Sequence, residues 1–204
     1  GRGSAGAGSV PASFNNLLGY KPTRGQLSNR GIVPACRSLD CVSVFGLQVT
    51  DIAEILSVLE KWDPQDPFSR KVEKRISCSL SETPKVALLS DDQLDFFGDS
   101  MSQEAYEKSV DVLTKSGLDL HPVDLSPFLE AADLLYSGPW VAERHIATSP
   151  LITESPESFL PETRKIISGG SEPSARDAFL AKYKLAELLR EAEKIWENFD
   201  FIAL

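Results

Sequence analysis

A short apolar strand, a helix and a second strand follow one another in the middle of the chain. The run Lys85–Leu89 is almost wholly apolar, which predicts a buried strand. Residues 102–116 predict a helix that ends at Gly117, and residues 118–123 predict the next strand. Because a helix commonly connects two parallel strands, this order predicts a βαβ unit within a layered α/β fold.

Two amphipathic helices are predicted before and after this unit in the chain. The first spans residues 51–62, with Thr50 as its N-cap and the Pro-containing residues 63–67 ending it. Its apolar side chains recur at helical spacing: Ile52, Ile55, Leu56 and Leu59. The second spans residues 175–198 and follows a start signal at residues 171–174. Five side chains mark its predicted apolar side: Phe179, Tyr183, Ala186, Leu189 and Ile195.

The stretch between residues 124 and 174 carries less regular patterns. Residues 127–148 predict one further helix. Residues 149–161 are rich in Ser, Pro and Glu, which predicts a surface loop, and a short helical turn is expected after it. Taken with the βαβ unit and the two amphipathic helices, these patterns predict that helices and strands alternate over most of the chain.

Length and charge restrict the classes of partner. A chain of 204 residues with 42% hydrophobic residues can bury a core in one domain. Its 30 acidic and 21 basic residues give a net charge of -9, which disfavours nucleic acid and anionic membrane surfaces as partners. Apolar runs stay well short of the roughly 18 residues that a membrane span requires. We therefore expect a protein that binds neither nucleic acid nor membrane.

The cysteines and histidines do not form a metal-binding pattern. Three cysteines, Cys36, Cys41 and Cys78, have an odd count and lack metal-ligand spacing, which predicts reduced thiols with a packing role. The two histidines, His121 and His145, also lack ligand spacing. We expect no metal and no cofactor.

The first nine residues, Gly-Arg-Gly-Ser-Ala-Gly-Ala-Gly-Ser, are mostly small. Backbone N–H groups of Ser4, Ala5, Gly6 and Ala7 can turn towards one point, as stabilisation of an oxyanion requires. An acyl transfer also needs a nucleophile beside those donors, and the methyl group of Ala7 cannot attack a carbonyl. The loop thus has the backbone of an oxyanion hole without an evident attacking group.

This loop resembles the nucleophile region of amidase-signature hydrolases, together with residues 14–16, 19–25 and 33–40. The stretch 33–40, Val-Pro-Ala-Cys-Arg-Ser-Leu-Asp, resembles the allophanate hydrolase branch of that family. The resemblance places Ala7 where the family carries its nucleophilic serine. It implies a mixed central sheet flanked by helices, in an α/β amidase-signature-like layered fold.

The same resemblance suggests that the chain is part of a larger domain. The lysine base and bridging serine of the family lie upstream of the nucleophile in intact relatives, so we expect only the middle of an amidase domain. The predicted organisation is one partial domain over residues 1–204. Its regions are the nucleophile loop and core (1–48), the helix and βαβ unit (49–125), and the substrate-recognition helix, loop and long C-terminal helix (126–204).

Residues 134–144, Leu-Leu-Tyr-Ser-Gly-Pro-Trp-Val-Ala-Glu-Arg, resemble the substrate-recognition segment of allophanate hydrolases. In that branch a tyrosine and an arginine eight residues later hold the small substrate, and Tyr136 and Arg144 match those positions. An arginine fork binds a carboxylate through two parallel hydrogen bonds, which suits an anionic urea derivative. From the residues alone, Arg144 after Glu143 on a helix also fits a surface ion pair.

The resemblance implies a relative of enzymes that hydrolyse allophanate to ammonia and carbon dioxide, and Ala7 predicts that this chain is hydrolytically inactive. One hypothesis is a degenerate amidase that binds a small amide or urea-derived ligand, or a partner, or performs a non-hydrolytic reaction. Alternatives are a subunit or fragment of a split amidase, and a remnant without activity. We expect a homodimer or a partner chain to cover an exposed sheet edge, and a cytoplasmic location.

Overall fold

A computed structural model describes residues 2–3, 9–71 and 81–204. The described helices, in chain order, are α1 (Ser9–Phe14), α2 (Val49–Leu59), α3 (Ser100–Lys115), α4 (Ser126–Ser137), α5 (Val141–Glu154), α6 (Pro161–Ser168) and α7 (Ala175–Trp196). The described strands are β1 (Arg2–Gly3), β2 (Leu18–Tyr20), β3 (Cys41–Val42), β4 (Val44–Gly46), β5 (Lys85–Leu89), β6 (Asp119–Val123) and β7 (Phe201–Ala203). Short 3-10 turns lie at Asp91–Gln93, Pro156–Ser158 and Gly169–Ser171.

The chain divides into two units. The first consists of Gly1–Ile76 and Leu135–Ala178, and the second of Ser77–Leu134 and Phe179–Leu204. The first unit contains two antiparallel ladders, β1 with β3 and β2 with β4. The second contains a three-stranded parallel sheet in the order β6-β5-β7. Helices combined with parallel and antiparallel strands confirm the predicted α/β class.

The predicted βαβ unit is confirmed in the second unit. Strand β5 has the predicted bounds, α3 follows it, and β6 pairs with β5 in parallel. Helix α3 begins two residues earlier than expected because the Asp99 carboxylate caps it, accepting hydrogen bonds from the backbone N–H of Met101 and Ser102. Beyond its end, Gly117 has φ +85°, a left-handed conformation that favours glycine. The central strand is buried at Val86, Ala87 and Leu88.

Helix α2 packs on the core of the first unit. Its residues Ile52 and Leu56 are buried with Leu27 and Val44, as the helical spacing predicts. The predicted cap at Thr50 is wrong, and the helix begins at Val49. The reason is that the Asp51 carboxylate accepts hydrogen bonds from two N–H groups further upstream, those of Leu47 and Gln48. The helix ends at Leu59, which is exposed, and so stops before the Pro-containing segment.

The single helix predicted over residues 127–148 is wrong, because the structure has two helices there, α4 and α5. The break contains Gly138 and Pro139. Proline lacks the backbone N–H that a continuing helix needs and disfavours helical geometry at the residue before it. The surface loop predicted over residues 149–161 is also wrong in its first part, since α5 continues to Glu154. Burial of Ile152 on this last part of α5 favours the longer helix.

Helix α7 begins at Ala175, as the start signal predicts, and ends at Trp196. The Ser174 hydroxyl and backbone N–H both donate to the Asp177 carboxylate, which fixes the first turn. The predicted apolar side is wrong. Three other residues are buried instead, Ala181, Leu188 and Ala192, whereas three of the predicted ones are more than half exposed, Phe179, Tyr183 and Leu189. Small alanine side chains let the helix approach its neighbours closely, which periodicity of large apolar residues does not reveal.

Candidate functional site

The site predicted from the sequence has two parts, and the structure describes one of them. Residues Ser4, Ala5, Gly6 and Ala7, the predicted oxyanion-hole backbone and nucleophile position, lie outside the described residues. Cys78 lies outside them as well. Tyr136 and Arg144 are both described and lie in the same unit. The candidate site is therefore built from these two residues and their surroundings.

The break between α4 and α5 brings Tyr136 and Arg144 together. The guanidinium carbon of Arg144 lies 5.2 Å from the centroid of the Tyr136 ring, within the range of a cation–π contact. In one continuous helix, residues eight apart are separated by about 12 Å along the axis. The turn at Gly138 and Pro139, which contradicts the single-helix prediction, therefore favours the contact that the predicted site needs.

Arg144 has hydrogen-bonding capacity that the described residues leave unused. Its Nε atom is shielded from solvent and has no hydrogen-bond partner among them. A buried N–H without an acceptor is costly, since it has lost water and gained nothing in return. The Tyr136 ring beside it remains more than half exposed. A planar carboxylate matches the guanidinium fork, so these two residues are a candidate site for an anionic group.

The thiol of Cys36 forms one side of the Arg144 environment. Cys36 is fully buried. Burial raises the pKa of the Cys36 thiol, and the hydrogen bond and charge of Arg144 lower it by a smaller amount. The thiol is thus neutral at physiological pH and does not neutralise the guanidinium. Cys36 and Cys41 are both buried free thiols, as predicted.

The alternative of a surface ion pair between Glu143 and Arg144 does not match the geometry. The Glu143 carboxylate instead accepts hydrogen bonds from the backbone N–H of Ser38, at 2.7 Å, and from the Ser38 hydroxyl. Consecutive helical residues point about 100° apart, so Glu143 faces Ser38 while Arg144 faces Tyr136. The sequence reasoning missed Ser38 as a contributor. The two residues are 105 positions apart, and local spacing carries no signal for that contact.

A separate cleft of about 280 Å³ lies in the same unit. Asp66 and Arg37 are among its lining residues, and the guanidinium carbon of Arg37 lies 5.8 Å from the centroid of the Phe68 ring. The other lining residues are Asn29, Arg30, Gly31, Ile32, Pro34, Asp40, Gln65 and Pro67. The carboxylates of Asp40 and Asp66 accept hydrogen bonds from backbone N–H groups, and Arg30 is paired with Asp63, so the charged groups of the cleft already have partners.

The described residues hold neither a cluster of metal ligands nor a membrane-spanning helix. Within the described ranges, groups of three or more His, Cys, Asp or Glu that could hold a metal ion are absent. The helices that the structure describes include none that is long and apolar enough to cross a membrane.

Comparison with known proteins identifies the family of the chain. The family model described as Amidase matches residues 1–204. The chain belongs to the amidase-signature family, as an allophanate-hydrolase-like or urea-amidolyase-like amidase domain.

Individual relatives support this assignment. Urea amidolyase of Saccharomyces cerevisiae is 34% identical, and the alignment covers 100% of this chain and 11% of that protein. The structure of SeMet-substituted Kluyveromyces lactis allophanate hydrolase is 40% identical, with a TM-score of 0.91, over 99% of this chain and 34% of that one. The crystal structure of the K. lactis urea amidolyase is 39% identical, with a TM-score of 0.92, over 99% of this chain and 12% of that one. The chain thus spans about a ninth of the length of the curated urea amidolyases that it matches.

Proposed function

We propose that this chain is an amidase domain that has lost hydrolysis and retains a pocket for a small anionic amide. The observation that carries the proposal is the shielded Nε–H of Arg144, which lacks a partner among the described residues and lies beside Tyr136. A ligand carboxylate would supply the missing acceptor and align with the guanidinium in two parallel hydrogen bonds. The phenol ring would cover one face of the bound group.

The proposed loss of hydrolysis is supported by Ala7, which the resemblance places at the position of the nucleophile. Loss of a nucleophile typically lowers kcat by about 10⁶-fold, leaving what binding and the oxyanion hole supply. The relatives named allophanate hydrolase and urea amidolyase suggest the ligand class, a urea derivative that carries a carboxylate. We further propose that the protein is cytoplasmic. We also propose that a second chain, either another copy or a different partner, covers an exposed sheet edge. A monodisperse monomer in light scattering would count against the second chain.

Binding can be tested with oxamate, a small amide that carries a carboxylate, and with oxamide, its neutral counterpart. We expect the chain to bind oxamate in isothermal titration calorimetry and to bind oxamide much more weakly. Arg144→Ala should weaken oxamate binding by about 10- to 100-fold, because a hydrogen bond to a charged group is worth about 1.5–3 kcal/mol. Arg190→Ala is the matched control, since Arg190 is an exposed arginine paired with Glu193. Equal oxamate affinity in wild type and Arg144→Ala would refute the pocket.

Hydrolysis is tested separately, by ammonia release from allophanate. We expect the natural chain to release ammonia about 10⁶-fold more slowly than an amidase with an intact nucleophile. The Ala7→Ser variant, assayed beside it, asks whether the alanine alone accounts for the loss. Turnover by the natural chain would overturn the proposed inactivity and require another nucleophile.

A further inference from the structure

The loop of residues 34–40 has a shape fixed by its own hydrogen bonds. The Asp40 carboxylate accepts from the backbone N–H of Ala35 at 2.9 Å and of Cys36 at 3.2 Å. The N–H groups of Leu39 and Asp40 in turn donate to the Cys36 carbonyl, both at 2.8 Å. Asn29 adds a hydrogen bond from its side-chain amide to the Asp40 carbonyl, at 2.7 Å. The loop is therefore a closed turn that holds Cys36 in one place relative to Ser38.

This loop is attached to the first turn of α5 at two points. The Glu143 carboxylate accepts two hydrogen bonds from Ser38, one from the backbone and one from the hydroxyl. The Cys36 thiol lies 3.6 Å from the Trp140 carbonyl and donates to it. A bond between a carboxylate and a backbone N–H is charge-assisted and stronger than a neutral one. Glu143 thus provides the stronger of the two attachments.

The position of the Arg144 side chain depends on the position of the 34–40 loop. Its guanidinium carbon lies 5.2 Å from the centroid of the Tyr136 ring, and its side chain is hydrogen-bonded to the Cys36 thiol. Neither contact is strong enough by itself to fix a long flexible side chain, which loses about 2 kcal/mol of rotamer freedom when ordered. Because the sulfur lies on a loop that Glu143 holds, movement of that loop would open space beside the guanidinium.

We propose that Glu143 is a positioning residue: by holding the 34–40 loop against α5 through Ser38, it keeps Cys36 beside Arg144 and thereby fixes the guanidinium for ligand. The ligand part of this inference rests on the function proposed above, whereas the ordering of Arg144 does not. Glu143 itself is not expected to contact ligand, since both of its hydrogen bonds go to Ser38. Its contribution should therefore appear in the order of the arginine and in affinity for the carboxylate.

The test compares Glu143→Gln with Glu154→Gln, an exposed glutamate on the same helix. The first readout, taken without ligand, is the ¹⁵N–¹H resonance of Arg144 Nε. In wild type we expect a single signal that exchanges slowly with water, since the atom is shielded. Glu143→Gln should broaden that signal or speed its exchange about tenfold or more, while Glu154→Gln leaves it unchanged. An unchanged Nε signal in Glu143→Gln would overturn the inference even if the variant is less stable.

The second readout is ligand discrimination. Glu143→Gln should raise the Kd for oxamate about tenfold and reduce the preference for oxamate over oxamide, which a purely structural role would leave intact. If Glu143→Gln does not fold, Ser38→Ala removes only the hydroxyl donor and should give a smaller change in the same direction. Unaltered Nε exchange and oxamate affinity in Ser38→Ala would then overturn the inference. Failure of wild type to bind oxamate would refute the proposed function, while the Nε signal would still decide the positioning role.

Discussion

The parallel sheet and the 34–40 loop are held by different interactions. In the sheet, β5 is paired on both sides by backbone hydrogen bonds, and Val86, Ala87 and Leu88 are buried. In the loop, carboxylates hold backbone N–H groups, and the second attachment is to a helix more than 100 residues later. Apolar burial depends on area and tolerates many side chains, whereas a carboxylate cradle depends on placement. The sheet can therefore be predicted from the pattern of apolar residues in the sequence, whereas the hydrogen bonds of the loop cannot.

The largest loss of stability is expected when a buried apolar side chain beside the parallel sheet is removed. Leu125, which follows β6 and is fully buried, has a side chain whose removal leaves a cavity. Leu125→Ala should lower the free energy of unfolding by about 3 kcal/mol. Leu129→Ala, at a partly exposed leucine, is the control and should cost about 1 kcal/mol or less. Urea denaturation measures both, and similar losses in the two variants would refute the dependence on burial.

A smaller loss of stability is expected when a carboxylate that accepts hydrogen bonds from backbone N–H groups is removed. The Asp66 carboxylate accepts hydrogen bonds from the N–H of Asn29 at 2.7 Å and of Phe68 at 2.9 Å, with Ser28 adding its hydroxyl. Asp66→Ala leaves these donors unpaired and should cost about 2 kcal/mol. Asp92→Ala, at an exposed aspartate, should have little effect. If the two aspartate variants unfold at the same urea concentration, the cradle does not stabilise the fold.

The lowered pKa of Asp66 predicts that the stability of the fold depends on pH. Burial raises the pKa of Asp66, but the hydrogen bonds from Asn29, Phe68 and Ser28 outweigh it and leave the pKa below its ordinary value. A lowered pKa in the folded state means that this stabilisation is complete above the unfolded pKa of about 3.9 and is lost as pH falls through the folded value. Wild type should therefore lose more stability than Asp66→Ala between about pH 4 and pH 2. Parallel curves for the two proteins over that range would contradict the assignment.

The smallest loss of stability is expected when a glycine with a left-handed backbone conformation is replaced. Gly117 has φ +85°, and Gly117→Ala should cost about 1 kcal/mol because alanine disfavours that region. Gly169 has φ −63° with open space where a Cβ would lie, so Gly169→Ala should be neutral or slightly stabilising. Thermal denaturation of the two variants separates the cases. Equal shifts would mean that the left-handed conformation is not what the turn requires.

Prediction from the sequence succeeded where the deciding interactions are local. The bounds of β5, the stop at Gly117 and the start of α7 follow from apolar runs, a helix terminator and a cap. It failed at the apolar side of α7, because Ala181 and Ala192 are buried in place of larger residues. It failed again over residues 127–148, because helical spacing continues through this stretch whereas Gly138 and Pro139 divide it into α4 and α5.

The candidate site divides in the same way. The sequence by itself determined the family, the identity of Tyr136 and Arg144 as candidates, and the presence of Ala7 at the predicted nucleophile position, since each depends on residue type and spacing. Only the tertiary structure decided that Arg144 lies against Tyr136 and Cys36, and that Glu143 binds Ser38 in place of Arg144. The contacts of Arg144 with Cys36 and of Glu143 with Ser38 join segments about 100 residues apart. Which donor meets which acceptor across that separation depends on how the chain packs, and this information is absent from local sequence patterns.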